Sequence, residues 1–153
     1  MRIFNNIKRL IKWFPIIWKD RDFDYCYFLS MMKFKLEQME TFFRSDNTWS
    51  MGVGKTADEI KRCILLLDRI IEDDYGSYDV HDKKWGEMKM DFKAARDGLS
   101  EMVITRPNVI TDKDKKQESK EWKRCMEHEE MLKKQDMKYL FELMEKNLKG
   151  WWD

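Results

Sequence analysis

The sequence predicts an all-α protein: a single-domain bundle of about five helices over residues 1–153, with a long C-terminal helix and one short extended segment near residues 101–111. Three observations lead there. Residues 23–36 (FDYCYFLSMMKFKL) are apolar on nearly every helical face, which only a helix covered on several sides tolerates in water. Charged residues make up 39% of the chain and apolar ones 42%, with only six Gly and two Pro, a balance suited to long amphipathic helices with solvated faces. From Thr111 onward, apolar residues recur at helical spacing almost to the C-terminus.

The first element is an amphipathic helix over residues 1–14, with Ile3, Phe4, Ile7, Leu10, Ile11 and Phe14 at i, i+3, i+4 spacing. Pro15 has no backbone donor and fixes its own φ, so this helix is expected to stop just before it. A helix ending in a proline turn folds back readily, and the apolar stripe is expected to dock on the helix that follows. Residues 1–19 also carry Arg2, Lys8, Arg9, Lys12 and Lys19 with no acid, so the alternative is a helix lying on an anionic membrane surface. A secretory signal fits poorly, because the apolar run 13–18 is short, holds a proline and is followed by charges. No stretch approaches the roughly 20 apolar residues of a spanning helix.

The central helix is expected over residues 22–44, with Asp20, Asp22 and Asp24 placed to cap its amides and oppose its dipole. Tyr25, Phe28, Leu29, Met32 and Leu36 are expected among the most buried residues. Residues 45–56 read as a loop. Within it Gly54-Lys55-Thr56 resembles the end of a phosphate-cradling loop, but Trp49 stands where that pattern needs a glycine, and a helix precedes the loop instead of a strand. Thr56 is expected to cap the next helix.

That helix, over residues 57–74, carries the stripe Ile60, Ile64, Leu67 and Ile71, widened by Cys63, Leu66 and Ile70, and should pair antiparallel with the central helix. After a break at 75–81, a fourth helix is expected from about 82 to 97, with Trp85, Met88, Phe92 and Ala95 on one face and Gly98 ending it. Residues 99–111 favour extended structure, with Val103-Ile104-Thr105 and Val109-Ile110-Thr111 flanking Arg106-Pro107-Asn108. Thr111 and Asp112 open the last helix, which turns Trp122, Met126, Leu132, Tyr139, Leu140, Leu143 and Met144 to the core. Its heavily charged first half is expected to project or fray, and Gly150 to stop it.

Lys plus Arg (30) nearly cancel Asp plus Glu (29), so the global field does not steer nucleic acid, and the Lys-rich run 113–124 is interleaved with acids. Cys26, Cys63 and Cys125 are odd in number, widely separated and lack a C-x-x-C pair, which reads as reduced packing residues in a cytosolic protein. Seven Trp, twelve Met and a double-Trp terminus predict apolar surface left for self-association, hence a homo-oligomer.

The segments WFPIIWKDRDFDY and LFELMEKNLKGWWD resemble the two ends of a small tailed-bacteriophage protein family without an assigned activity. The resemblance covers the ends well and the middle poorly. It implies a phage accessory protein in the cytoplasm of a bacterial host, of the kind that counters host defences by binding a host protein or sequestering a nucleotide signal. It transfers no catalytic residue.

For catalysis the best candidate is Glu37 and Glu40, at i and i+3 on one helix face, where carboxylates can hold Mg²⁺. They resemble the E-x-x-E half of the all-α nucleotide pyrophosphatases, whose second half, E-x-x-D, is missing. Asp68 lies about 12 Å too far along an antiparallel hairpin, whereas Asp58 and Glu59 are level with Glu40. His81-Asp82 is similar to the metal-binding dipeptide of helical phosphohydrolases, but their earlier histidine is absent, since the other one here, His128, comes later. For binding, Trp13, Trp18, Tyr25, Tyr27, Trp151 and Trp152 can stack on bases, and Lys19, Arg21 and Arg106 can meet phosphates. In the corner 18–22, Arg21 with Lys19 either receives an anion or locks the N-terminal helix to the C-terminal Trp pair. The sequence thus favours a non-enzymatic binding protein, acting on a host-defence component or a nucleotide-like signal. The alternatives are a metal-dependent hydrolase and a peripheral membrane or structural phage protein.

Overall fold

A computed structural model describes residues 2–19, 24–45, 52–94 and 98–151. They form four helices, a two-stranded ribbon and a long C-terminal helix: α1 Arg2–Ile17, α2 Tyr25–Phe43, α3 Val53–Glu72, α4 Ser77–Trp85, β1 Lys89–Ala94, β2 Ser100–Thr105 and α5 Asp112–Asn147, with a closing 3-10 turn at Lys149–Trp151. Where the sequence predicts one bundle, the chain groups into two units, Met1–Asp73 with Asp136–Asp153, and Asp74–Gln135.

In the first unit α2 and α3 form the antiparallel pair expected, with Lys33 on Asp68 (2.5 Å) at one end and Arg44 on Asp58 (2.9 Å) at the other. Leu29, Leu36 and Met39 pack against Ile60, Cys63, Ile64, Leu67 and Ile70, joined by Leu140 and Trp151. Asp24 caps α2 by accepting from the Cys26 amide (2.9 Å); Asp20 and Asp22 lie outside the described residues. Two core expectations fail: Tyr25 is 60% and Phe28 55% exposed, because α3 covers only one side of α2. The start of α3 differs too. It begins at Val53 after a left-handed Gly52, which places Thr56 inside the helix instead of at its cap. Cys63 is buried, Cys26 and Cys125 are half-buried, and all three are free; burial and the nearby Glu59 charge push the Cys63 thiol up to about 11.

α1 runs through Pro15 to Ile17, three residues past the expected stop. A proline this close to the C-terminus forfeits only its own bond to the preceding turn, and the ladder resumes with the Trp18 amide on the Phe14 carbonyl (2.9 Å).

In the second unit the expected helix over 82–97 is not formed. α4 starts earlier and ends at Gly86, and Lys89-Met-Asp-Phe-Lys-Ala94 is a strand. Its strict alternation of polar and apolar residues is a period-2 signal; Trp85, Met88, Phe92 and Ala95 also match a helical period, and the proximity of Gly86 decides between them. β1 therefore pairs with β2, from Lys89↔Thr105 to Ala94↔Ser100, and the segment 109–111 forms no second arm. Arg106-Pro107-Asn108 turns back onto α4 through the Asn108 amide and the Trp85 carbonyl (3.1 Å).

Thr111 and Asp114 close a reciprocal cap on α5, the Thr111 amide donating to Asp114 Oδ2 (2.9 Å) and the Asp114 amide to Thr111 Oγ1 (3.1 Å). The Thr111 hydroxyl also donates to Asp114 Oδ2 (2.7 Å), and this bond first, then the amide's, holds the Asp114 carboxyl below its ordinary value. The charged first half of α5 is helical, because its acids are used: Ser77 donates to Glu129 (3.2 Å), and Lys84 (2.6 Å) and Trp85 (2.7 Å) to Glu121. Met126 and Tyr139, expected in the core, are half exposed, whereas Leu140 is fully buried. α5 ends at Asn147, and Gly150 lies within the closing 3-10 turn.

Glu121 supplies a pH prediction. Hydrogen bonds from Lys84, Gln117 and Trp85 lower its pKa to about 2, so the unfolded chain binds the proton more tightly. Its contribution is complete above the ordinary value of 4.5 and is lost as the pH falls through about 2. Glu121→Gln should therefore flatten the fall of stability between those values in urea titrations; an unchanged slope would show that the three donors hold it no better folded than unfolded.

Candidate functional site

At ~100° per residue seven apolar positions of α1 and Trp18 just after it fall on one arc of about 140°: Ile3, Phe4, Ile7, Leu10, Ile11, Phe14, Ile17 and Trp18. The stripe was expected to dock on α2, but it faces outward. Every one of these side chains is exposed, from 48% at Ile7 to 77% at Ile3 and Trp18.

α1 meets α2 with its other side. Trp13 stands edge-on to Phe34 (4.9 Å between centroids, 78°), Lys12 Nζ donates to Gln38 Oε1 (3.0 Å), and the Tyr27 hydroxyl donates to the Ile16 carbonyl. Trp13 and Ile16 are the half-buried residues of the helix, and they decide the geometry: a Trp ring and an aromatic partner anchor one side while the aliphatic arc is left over. Lys8 lies over the Phe4 ring (4.6 Å), at the border of the arc. Ile17 and Trp18 extend the arc past Pro15. The sequence contains that signal, since both continue the same period, but a helix ended at Pro15 hides it.

The residues predicted to bind a nucleotide do not converge. Trp18, Lys19 and Tyr25 are exposed in the first unit, where Trp151 is 2% exposed in the core and donates from Nε1 to Glu59 Oε2 (3.3 Å). Trp151 is thus a packing residue and not part of an exposed double-Trp interface; Arg21 and Trp152 lie outside the described residues. Arg106 belongs to the second unit and is 7% exposed. Its Nη1 donates to Asp82 Oδ1 (2.5 Å) and to the Gly86 carbonyl (2.6 Å), its Nε stands 2.9 Å from Glu118 Oε1, and its guanidinium lies 5.1 Å from the Trp122 ring centre. Two carboxylates already hold that cation, so a phosphate would have to displace them. Arg106 also lines a cavity of about 410 Å³ with Met88, Ile104, Val109 and Trp122, where Lys115 and Glu118 are the other charged residues.

The candidate metal ligands are engaged elsewhere. Arg44 bridges Glu40 (Nε, 2.9 Å) and Asp58 (Nη2, 2.9 Å), filling the space where a cation would sit between them. Glu37 faces Lys33 (3.6 Å), and Glu59 receives Trp151. Among the described residues no three His, Cys, Asp or Glu side chains are grouped to hold a metal ion. His81 is buried, 5.3 Å from the Trp122 ring and 3.4 Å from the Glu118 carbonyl oxygen, while His128 is exposed on α5.

Comparison with protein families, curated proteins and solved structures finds no match for the chain. Among the described residues no helix is long and apolar enough to cross a membrane.

Proposed function

We propose that this protein acts by binding, without catalysis, and that α1 seats it on an anionic membrane surface. The observation that carries the reading is the outward-facing arc of eight large apolar side chains on a helix whose other side is already anchored to α2. An interfacial helix has this construction, an apolar face sunk to the headgroup boundary with Lys and Arg around it. Charge selects the occupant. Residues 1–19 hold five Lys and Arg and no acid, so a second α1 would meet like charge, whereas each cation near an anionic leaflet gains about 1 kcal/mol.

The accessory, counter-defence role implied by the resemblance of the chain ends is a proposal of wider reach. α1 would serve it by concentrating the protein at the host membrane, with a host-defence component there as the partner.

The test is sedimentation of the full chain with phosphatidylglycerol-containing vesicles and with phosphatidylcholine alone. Binding should require the anionic lipid, weaken with salt, and be lost in Ile7→Glu/Ile11→Glu with an unchanged far-ultraviolet circular dichroism spectrum. Failure of the parent chain to sediment with anionic vesicles, or equal binding by the variant, overturns the proposal.

A further inference from the structure

The ribbon of β1 and β2 is exposed on both sides except for a half-buried Val103. Its register places Met90 opposite Ile104 and Phe92 opposite Met102, so four apolar side chains share one face, each between 50% and 72% exposed. The other face carries Lys89, Asp91, Lys93 and Glu101, none in an ion pair among the described residues. A lone two-stranded hairpin is at best marginally stable in water, and each strand keeps an open edge because the sheet has no third strand among the described residues.

We propose that the β1 edge pairs antiparallel with β1 of a second copy of this chain, converting two ribbons into one four-stranded sheet. The charges on β1 and on Glu87, two residues before it, favour one register. With Met90 on the two-fold axis, Lys89 faces Asp91 of the second copy, and Glu87 is set against Lys93 once the paired strand continues back over residues 87–88, which gives four opposite-charge pairs across the axis and no like pair. Met90 then meets itself and Phe92 meets Met88, so the apolar faces of the two ribbons run on as one. Centring on Asp91 instead sets Asp91 against itself and Lys89 against Lys93, all repulsive. Centring on Phe92 keeps only two opposite-charge pairs. The β2 edge offers a single charge, Glu101, and selects no register. Lysines on an edge strand ordinarily deter pairing, but here Asp91 and Glu87 stand where a second copy's lysines would arrive.

The inference is independent of the membrane proposal and is tested without lipid. Light scattering on the full chain should report a dimer that Asp91→Lys converts to monomer, with helix content retained by circular dichroism. Under mild oxidation Met90→Cys should form an intermolecular disulfide, since opposite residues in a ladder have Cβ atoms about 5 Å apart, and Phe92→Cys should not. Cys26, Cys63 and Cys125 are controlled for by the parent chain under the same oxidant. A monomeric parent, a dimer that survives Asp91→Lys, or crosslinking through Phe92→Cys in preference to Met90→Cys overturns the proposal.

Discussion

Trp151→Ala should lower the stability of the first unit by about 3–5 kcal/mol, the range for removing a large aromatic from a core. The ring is 2% exposed among Leu140, Cys63 and their neighbours, and truncation leaves a cavity that the helix pair α2 and α3 cannot close without breaking its own packing. It also leaves Glu59 without the indole donor. Trp151→Phe restores most of the volume but not the hydrogen bond, so it should cost only about 1 kcal/mol beyond its smaller area. Denaturant titrations followed at the helical circular dichroism band measure both; a loss under 1 kcal/mol for the alanine variant would mean that the C-terminal turn is not part of the core.

Gly86→Ala should be nearly as damaging, by about 2–6 kcal/mol, and for two separable reasons. Gly86 has φ 83° and ψ 161°, a conformation open essentially to glycine alone. A methyl group there would lie 2.3 Å from Pro107 Cγ and 2.7 Å from Cδ, inside the turn that presents Arg106 to Asp82 and Glu118. Pro107→Ala deletes those two carbons. On that background Gly86→Ala should retain only the backbone part, about 1–3 kcal/mol, and a double-mutant cycle reads the difference as coupling. Identical penalties on both backgrounds would show that the close approach adds nothing.

The helices were legible where one period dominated. The α3 stripe from Ile60 to Ile71, the opening of α5 at Thr111 and Asp112 and the antiparallel pairing of α2 with α3 all follow from local spacing and hydrogen-bonding groups. The strand at Lys89–Ala94 was not legible, because six residues fit both a helical and an alternating template, and the choice rests on Gly86, the Pro107 turn and a partner strand across the loop. Glu40 and Asp58 both meet Arg44, and nothing local in the sequence reveals that this side chain would lie between them.

By itself the sequence determined that the N-terminal helix, expected over residues 1–14, carries an apolar arc and no acidic residue, since periodicity and charge are properties of the chain. Only the tertiary structure decided which side of that helix faces protein. A stripe can be covered by any apolar surface, and the choice was made by one aromatic contact, Trp13 on Phe34, with two hydrogen bonds beside it. Trp13 stands at the edge of the arc and Lys12 and Ile16 opposite it, and together they leave the eight side chains of the arc facing outward.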